Sequence, residues 1–284
     1  MEKTLIGKDE YLFLKNDSSK EIEIHCNNYN PISDLTLSQY IFENYYIVVF
    51  PDKSLIYKEY LPNNLEAKYR TSLEVYKKKF GSKLLDAYEF LKDNQNTYYK
   101  TDTHINFKGA YIIYKKFIEN INNIYNLDLI QKEIHIESKN CNLHDLKDGI
   151  GDLLWKLNLG NQIVNNKEDI YYFSNDINKF YCHYIIKSDN NIKFLNYDLI
   201  DNTIYLENQI VDWNIISNYI VYNKNTDKKY KVLIFYDSFL ISTMPLYLEL
   251  FYEIYFVKNI YNNDIINKIN PDYVFEFRVE RFLI

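Results

Sequence analysis

From Tyr46 to Phe50 the chain reads YIVVF, apolar and rich in β-branched residues, and it stops at Pro51-Asp52. An apolar run without alternation that ends in a turn predicts a strand buried on both faces. Residues 65–92 set Leu73, Tyr76, Phe80, Leu84, Leu85 and Tyr88 among charged neighbours. That spacing predicts helix with a break at Gly81, and a scaffolding role. Further on, Phe107, Ala110, Tyr111, Tyr114, Phe117, Ile118 and Ile121 recur at offsets of three, four and seven. They mark one face of a helix, with Asn106 as its N-cap.

Residues 126–230 carry weaker signals. DLKDGIGDLLWKLNLG reads as a turn and a short helix, while FYCHYII, IKFLNYDLI and NTIYLENQIV read as short strands between Asn- and Asp-rich turns. The C-terminal stretch is clearer. KVLIFYDSF predicts a strand over Val232 to Tyr236 that runs into Asp237-Ser238; STMPLYLELFY is a helix candidate, EIYFVKN a strand, NNDIINKIN a helix and DYVFEF a strand. Strands and helices that alternate on short links form right-handed parallel crossovers, and in such sheets ligands sit beyond the C-terminal strand ends. Ser238 holds that kind of position. The chain therefore reads as an α/β domain over 1–284 with an insertion or β-rich subregion at about 126–230.

Composition narrows the partners. The net charge of −6 opposes a nucleic-acid backbone, which needs clustered Lys and Arg, and the densest basic run, YKKKFGSK, fits a solvated helix face. The first residues, MEKTLIGKDEYLFL, lack the apolar run of a signal peptide, and no stretch reaches the ~18 apolar residues of a membrane helix. A cytoplasmic location is the expectation. Cys26, Cys141 and Cys182 form neither a CxxC pair nor an even set, which opposes a disulfide framework. The adjacent pairs His25–Cys26 and Cys182–His183 lack zinc-type spacing. The 30 tyrosines accompany an abundance of Asn, Ile and Lys, so aromatic stripes are not read as binding surfaces.

The candidate chemistry lies in TDTHINFKGA and YDSF. A serine hydroxyl becomes a useful nucleophile when a base takes its proton and a third group fixes the base's tautomer. Ser238, His104 and Asp102 are of the three required types, and sequence separation is no obstacle because folds assemble triads. Each has a plainer reading alone: Ser238 as a helix N-cap, His104 as a loop histidine, Asp102 as a cap.

TDTHINFKGA resembles the TDTHWN-x-x-GA signature of the alginate O-acetyltransferase type of SGNH hydrolase-like proteins, and LIFYDSF resembles that family's strand followed by GDSF. GKDEYLFLKND, VVFPDKSLIYKEYLP, GDLLWKL and PDYVFEFRVERFL match in order, so the resemblance spans nearly the whole chain. It implies an SGNH-like three-layer fold with a mainly parallel sheet and a permuted motif order. It further implies Ser238 as nucleophile, His104 as general base and acid, and Asp102 as the group that orients the imidazole. Tyr236 stands where the family has glycine, and Ile105 where it has tryptophan; the resemblance implies for the first a narrower pocket or an altered reaction, and for the second a bearing on acceptor choice. Lys53, Tyr236 and Arg281 complete the candidates as substrate-binding residues, Lys53 toward an anionic donor. Arg281 has an alternative reading as the partner of Glu280 in a buried ion pair, and Asp152 matches a family position or ends a turn. The backbone N–H of Ser238 is the candidate oxyanion donor.

The expected activity is O-acyl transfer, with acetyl as the group, to a sugar hydroxyl of a cell-surface polysaccharide or its precursor. It requires no metal or cofactor. Its partners are a glycan acceptor and a small acyl donor, with peripheral association with a glycan-assembly complex. Alternatives are transfer of another small group such as O-methyl phosphoramidate, a carbohydrate esterase, and a non-catalytic carbohydrate-binding protein.

Overall fold

The computed structural model describes residues 3–15, 18–30, 37–131, 133–142, 152–153, 167–173, 185–187, 192–197, 204–207, 210–212, 218–224, 226–241 and 243–283. Its centre is an eight-stranded sheet. In chain order the strands are β1 (Tyr45–Phe50), β2 (Leu84–Asp86), β3 (Ile192–Tyr197), β4 (Ile204–Glu207), β5 (Asn218–Asn223), β6 (Lys231–Tyr236), β7 (Glu253–Val257) and β8 (Tyr273–Val279). Across the sheet they run β2-β1-β8-β6-β7-β5-β3-β4. The first five are mutually parallel, and β5, β3 and β4 each pair antiparallel.

Burial explains the strand sequences. All six residues of β1 are buried, and they alternate between two cores as a strand's pleat requires. Tyr46, Val48 and Phe50 join the cluster that holds Ile113, Tyr114 and Phe117 of helix α2 (Phe107–Tyr125). Tyr45, Ile47 and Val49 join Leu73 and Tyr76 of α1 (Thr71–Phe80) and Ile266 and Ile269 of α3 (Asn263–Ile269). The sheet is thus sandwiched between helices, in a three-layer α/β arrangement. The strand β8 places Glu276 and Arg278 within the second layer, where they pair at 2.9 Å and Tyr45 donates to Glu276 at 2.7 Å. Buried charge is tolerated because it is paired.

Two readings change. Residues 65–92 are not helix broken once: α1 ends at Phe80, Gly81 turns the chain at φ +55°, and Leu84–Asp86 forms the edge strand β2 beside β1. Its three residues are too few to show a period. STMPLYLELFY gives only a short helix, Met244–Tyr247, with proline in its first turn, and a separate short helix, Ser238–Ile241, precedes it. Of the segment 126–230, β5, β3 and β4 extend the main sheet, while Ile136–Asn142 and Lys167–Phe173 form a separate antiparallel pair. Cys182–His183 and most of DLKDGIGDLLWKLNLG lie outside the described residues. Among the described residues no helix is long and apolar enough to cross a membrane.

Candidate active site

The parallel strands β1, β8 and β6 end side by side, and the chemistry-bearing residues follow at once: Asp52 after β1, Glu280 and Arg281 after β8, Asp237 and Ser238 after β6. Asp237 builds the turn that presents the serine. One carboxylate oxygen accepts from the Phe239 N–H at 2.9 Å and the other from the Val279 N–H at 2.7 Å. The turn is thereby tied to the neighbouring strand, and Ser238 opens a helix without having to cap it.

His104 comes from the connection into α2. Asn106 caps that helix by accepting from the Gly109 N–H at 3.1 Å and donates to the Asn96 carbonyl at 2.9 Å. A side chain at Gly109 would come within 2.6 Å of the Thr97 carbonyl, so the helix start packs directly on the preceding loop. Ile105 is fully buried, pairing with Tyr98 in a short bridge, so it turns away from any substrate.

This framework brings Ser238 Oγ and His104 Nε2 to 2.9 Å. The other imidazole nitrogen, Nδ1, lies 2.6 Å from Asp102 Oδ1, which also accepts the His104 N–H at 2.9 Å. The Asp152 N–H donates to Asp102 Oδ2 at 3.0 Å. Burial works against ionising Asp102, which is 1% exposed, but the adjacent imidazole and these donors hold its carboxyl well below the usual carboxylate range. Burial works against protonating His104 too; the charge and hydrogen bond of Asp102, with a contribution from Asp152, outweigh it and raise the imidazole. A base so placed can take the serine proton as Oγ attacks and be stabilised as imidazolium.

One ligand atom each from Asp102, His104 and Asp152 lies within 4.8 Å of the others. Hydrogen bonds already draw these atoms together, and a cation between them would have to displace the Asp102–His104 contact.

The other predicted residues go elsewhere. Lys53 is 2% exposed, and its ammonium donates to the carbonyls of Tyr99 and Lys100 at 3.2 Å and of Asp102 at 2.6 Å. It is a strut under the histidine loop, where a substrate-facing lysine was expected. Tyr236 is 1% exposed and packs edge-on to Phe256; burial pushes its phenol up. Its ring fills the core and does not line a pocket. Arg281 does not pair with Glu280. It forms a buried ion pair with Asp52, lies 3.9 Å from Glu21, and stacks on Phe239 at 5.3 Å. Glu280 binds Arg70 at 2.6 Å, which also holds Asp86 at 2.7 Å.

His25 belongs to the same buried polar chain, which sequence reasoning missed. It meets Asp52 at 2.8 Å and the Tyr69 carbonyl at 2.8 Å. Burial alone would depress its imidazole; Asp52 outweighs that and lifts it to about 9. Burial pushes Glu21 up to about 7, with the charge of Asp52 adding to the effect. The signal available was Asp52 directly beyond β1, at a strand end where polar residues converge.

No protein-family model and no curated protein matches the sequence. Solved structures do match in shape. PatB1 of Bacillus cereus superposes with a TM-score of 0.61 at 16% identity, covering 99% of this chain and 96% of that one. A DHHW family protein from Eubacterium siraeum gives 0.62 at 16% identity over 100% and 93% of the two chains. The O-acetyltransferase domain of Pseudomonas putida AlgJ gives 0.50 at 14% identity over 99% and 91%. The chain shares their fold.

Proposed function

We propose that this protein is a serine O-acyltransferase that moves a small acyl group, acetyl foremost, onto a sugar hydroxyl of a polysaccharide or its precursor. The observation that carries the reading is the 2.9 Å contact of His104 Nε2 with Ser238 Oγ beyond the strand ends, with Asp102 on the other imidazole nitrogen. The shared fold with an O-acetyltransferase domain supports the choice of group. In the first half-reaction Ser238 Oγ attacks the donor carbonyl while His104 takes its proton, with the Ser238 N–H as the candidate donor to the developing oxyanion. The tetrahedral intermediate expels the leaving group, which receives the proton, and an acyl-serine remains. A sugar hydroxyl then gives its proton to His104 and attacks the ester; collapse restores Ser238 and releases the acylated sugar. The partners are accordingly a glycan acceptor and a small acyl donor.

A carbohydrate esterase would use the same first half-reaction with water as acceptor, and exclusion of water separates the two. Intact-mass spectrometry after mixing with an activated acetyl ester tests the common step. One added acetyl group in the wild type and none in Ser238→Ala is the expected result. An equal response of both proteins overturns the acyl-serine. With a sugar acceptor, Ser238→Ala and His104→Ala should lose at least ~10³ in turnover, and Asp102→Asn about 10⁴ through the wrong tautomer.

A further inference from the structure

The triad accounts for one face of the Asp102–His104 turn and leaves the other unexplained. Asp102 Oδ2 faces away from the imidazole and accepts the Asp152 N–H at 3.0 Å. The Asp152 carboxylate returns the contact one residue along: Oδ1 accepts the Thr103 N–H at 2.8 Å and Oδ2 the Thr103 hydroxyl at 3.0 Å. That hydroxyl lies 3.3 Å from His104 Nδ1. The clasp is reciprocal, side chain to backbone in one direction and backbone to side chain in the other. It joins groups 49 and 50 positions apart, so local chain geometry does not impose it.

Asp152 is itself anchored. Its neighbour Leu153 is fully buried, and the Leu153 carbonyl accepts from the Thr4 hydroxyl at 2.9 Å. Thr103 is 3% exposed and Asp102 1%, while Asp152 is half-buried, so the clasp is shielded from water on its Thr103 and Asp102 side, where hydrogen bonds orient their partners firmly.

We propose that Asp152 is a positioning residue, which locks the Asp102–Thr103–His104 turn in the conformation that aims Nε2 at Ser238. The proposal rests on the acyltransferase reading for its kinetic consequences but not for its geometry. The charged groups around the imidazole are Asp102, Asp152 and Arg281, of which the two carboxylates favour the imidazolium and the arginine opposes it.

Two variants separate shape from charge. In Asp152→Asn the amide oxygen can accept the Thr103 N–H and the amide nitrogen can donate to the Thr103 hydroxyl, so the clasp survives and the charge is lost. The rate of Ser238 acetylation by the activated ester should stay within about threefold of wild type at its plateau, while the acidic limb of its pH profile moves to lower pH because one carboxylate that favours the imidazolium is gone. Asp152→Ala removes both Thr103 contacts and should lower the plateau about 10- to 100-fold, as loosened catalytic geometry does. A proton NMR spectrum of each protein without substrate gives an activity-independent readout. The downfield Nδ1–H resonance of the Asp102–His104 hydrogen bond should be sharp in wild type, Ser238→Ala and Asp152→Asn, and lost or broadened in Asp152→Ala. A wild-type resonance and plateau in Asp152→Ala overturn the proposal and leave the triad intact. Absence of acetylation in wild type overturns the acyl-serine alone, and the resonance then decides on Asp152.

Discussion

Replacing Lys53 by methionine isolates the strut beneath the histidine loop. Methionine keeps most of the apolar stem and deletes the ammonium, which lies over the Phe13 ring at 5.4 Å. Three carbonyls lose a donor, those of Tyr99, Lys100 and Asp102, of which the Lys100 carbonyl keeps the Leu12 N–H. Hydrogen bonds to a charged group contribute about 1.5–3 kcal/mol each, so the gross loss is several kcal/mol. Against it stands the desolvation that the buried ammonium no longer suffers. A net loss of about 3 kcal/mol follows, or about 6–12 °C in melting temperature at roughly 2–4 °C per kcal/mol for a chain of this size. Because Asp102 sits at the end of the strut, activity should fall with stability even below the melting range. Thermal unfolding followed by circular dichroism, beside acetylation kinetics at low temperature, checks both. A melting temperature within about 2 °C of wild type, with a raised KM for an anionic donor, would refute the strut and return Lys53 to the substrate.

The buried His25 makes stability depend on pH: its folded value of about 9 exceeds its ordinary 6.5, so its contribution is complete below pH 6.5 and lost as pH rises through 9. Denaturant midpoints should reveal a loss of about 3 kcal/mol across that window, and His25→Gln should flatten the profile. Gly109→Ala, whose new carbon meets the Thr97 carbonyl at 2.6 Å, should lower stability by about 1–3 kcal/mol by calorimetry, because one side of the clash is backbone. Tyr236→Gly restores the residue of the resembled motif but empties a core site; a loss of about 3–5 kcal/mol in urea unfolding is expected, and a smaller one would mean the ring faces a pocket.

The fold was legible where burial is two-sided and continuous. YIVVF, KVLIFY and YVFEFRV are strands because helices cover both faces of the parallel sheet, and α2 declared itself by period and by Asn106. β2 escaped because three residues at an edge carry no period. Ser238, His104 and Asp102 were suggested by a resemblance, and spacing alone would have left their plainer readings standing. The roles of Lys53 and Arg281 could not be read in advance, and the position of Asp52 beyond β1 marked a strand end without naming its partners. Arg281 and Asp52 stand 229 positions apart, and pairing over such a distance leaves no local pattern. A charged residue beside a strand end looks solvated until the fold shows what covers it. Asp237 also carried a signal, since an aspartate just before Ser-Phe at a helix start is a capping position.

The order of strands in the sheet bears on how the chain reaches this state. β1 lies between β2 and β8, so it completes its hydrogen bonding only when a strand from 273–279 slots in beside residues 45–50. Until then an apolar strand edge, YYIVVF, stays open to other chains, and the loop that must close to cover it spans most of the sequence. Such topologies fold slowly, and their intermediates aggregate through the waiting edge. The late-arriving strand is also the one that delivers Arg281 to Asp52. Closing the hazardous edge and finishing the floor of the site are therefore a single event in assembly, and a partly folded chain would have neither.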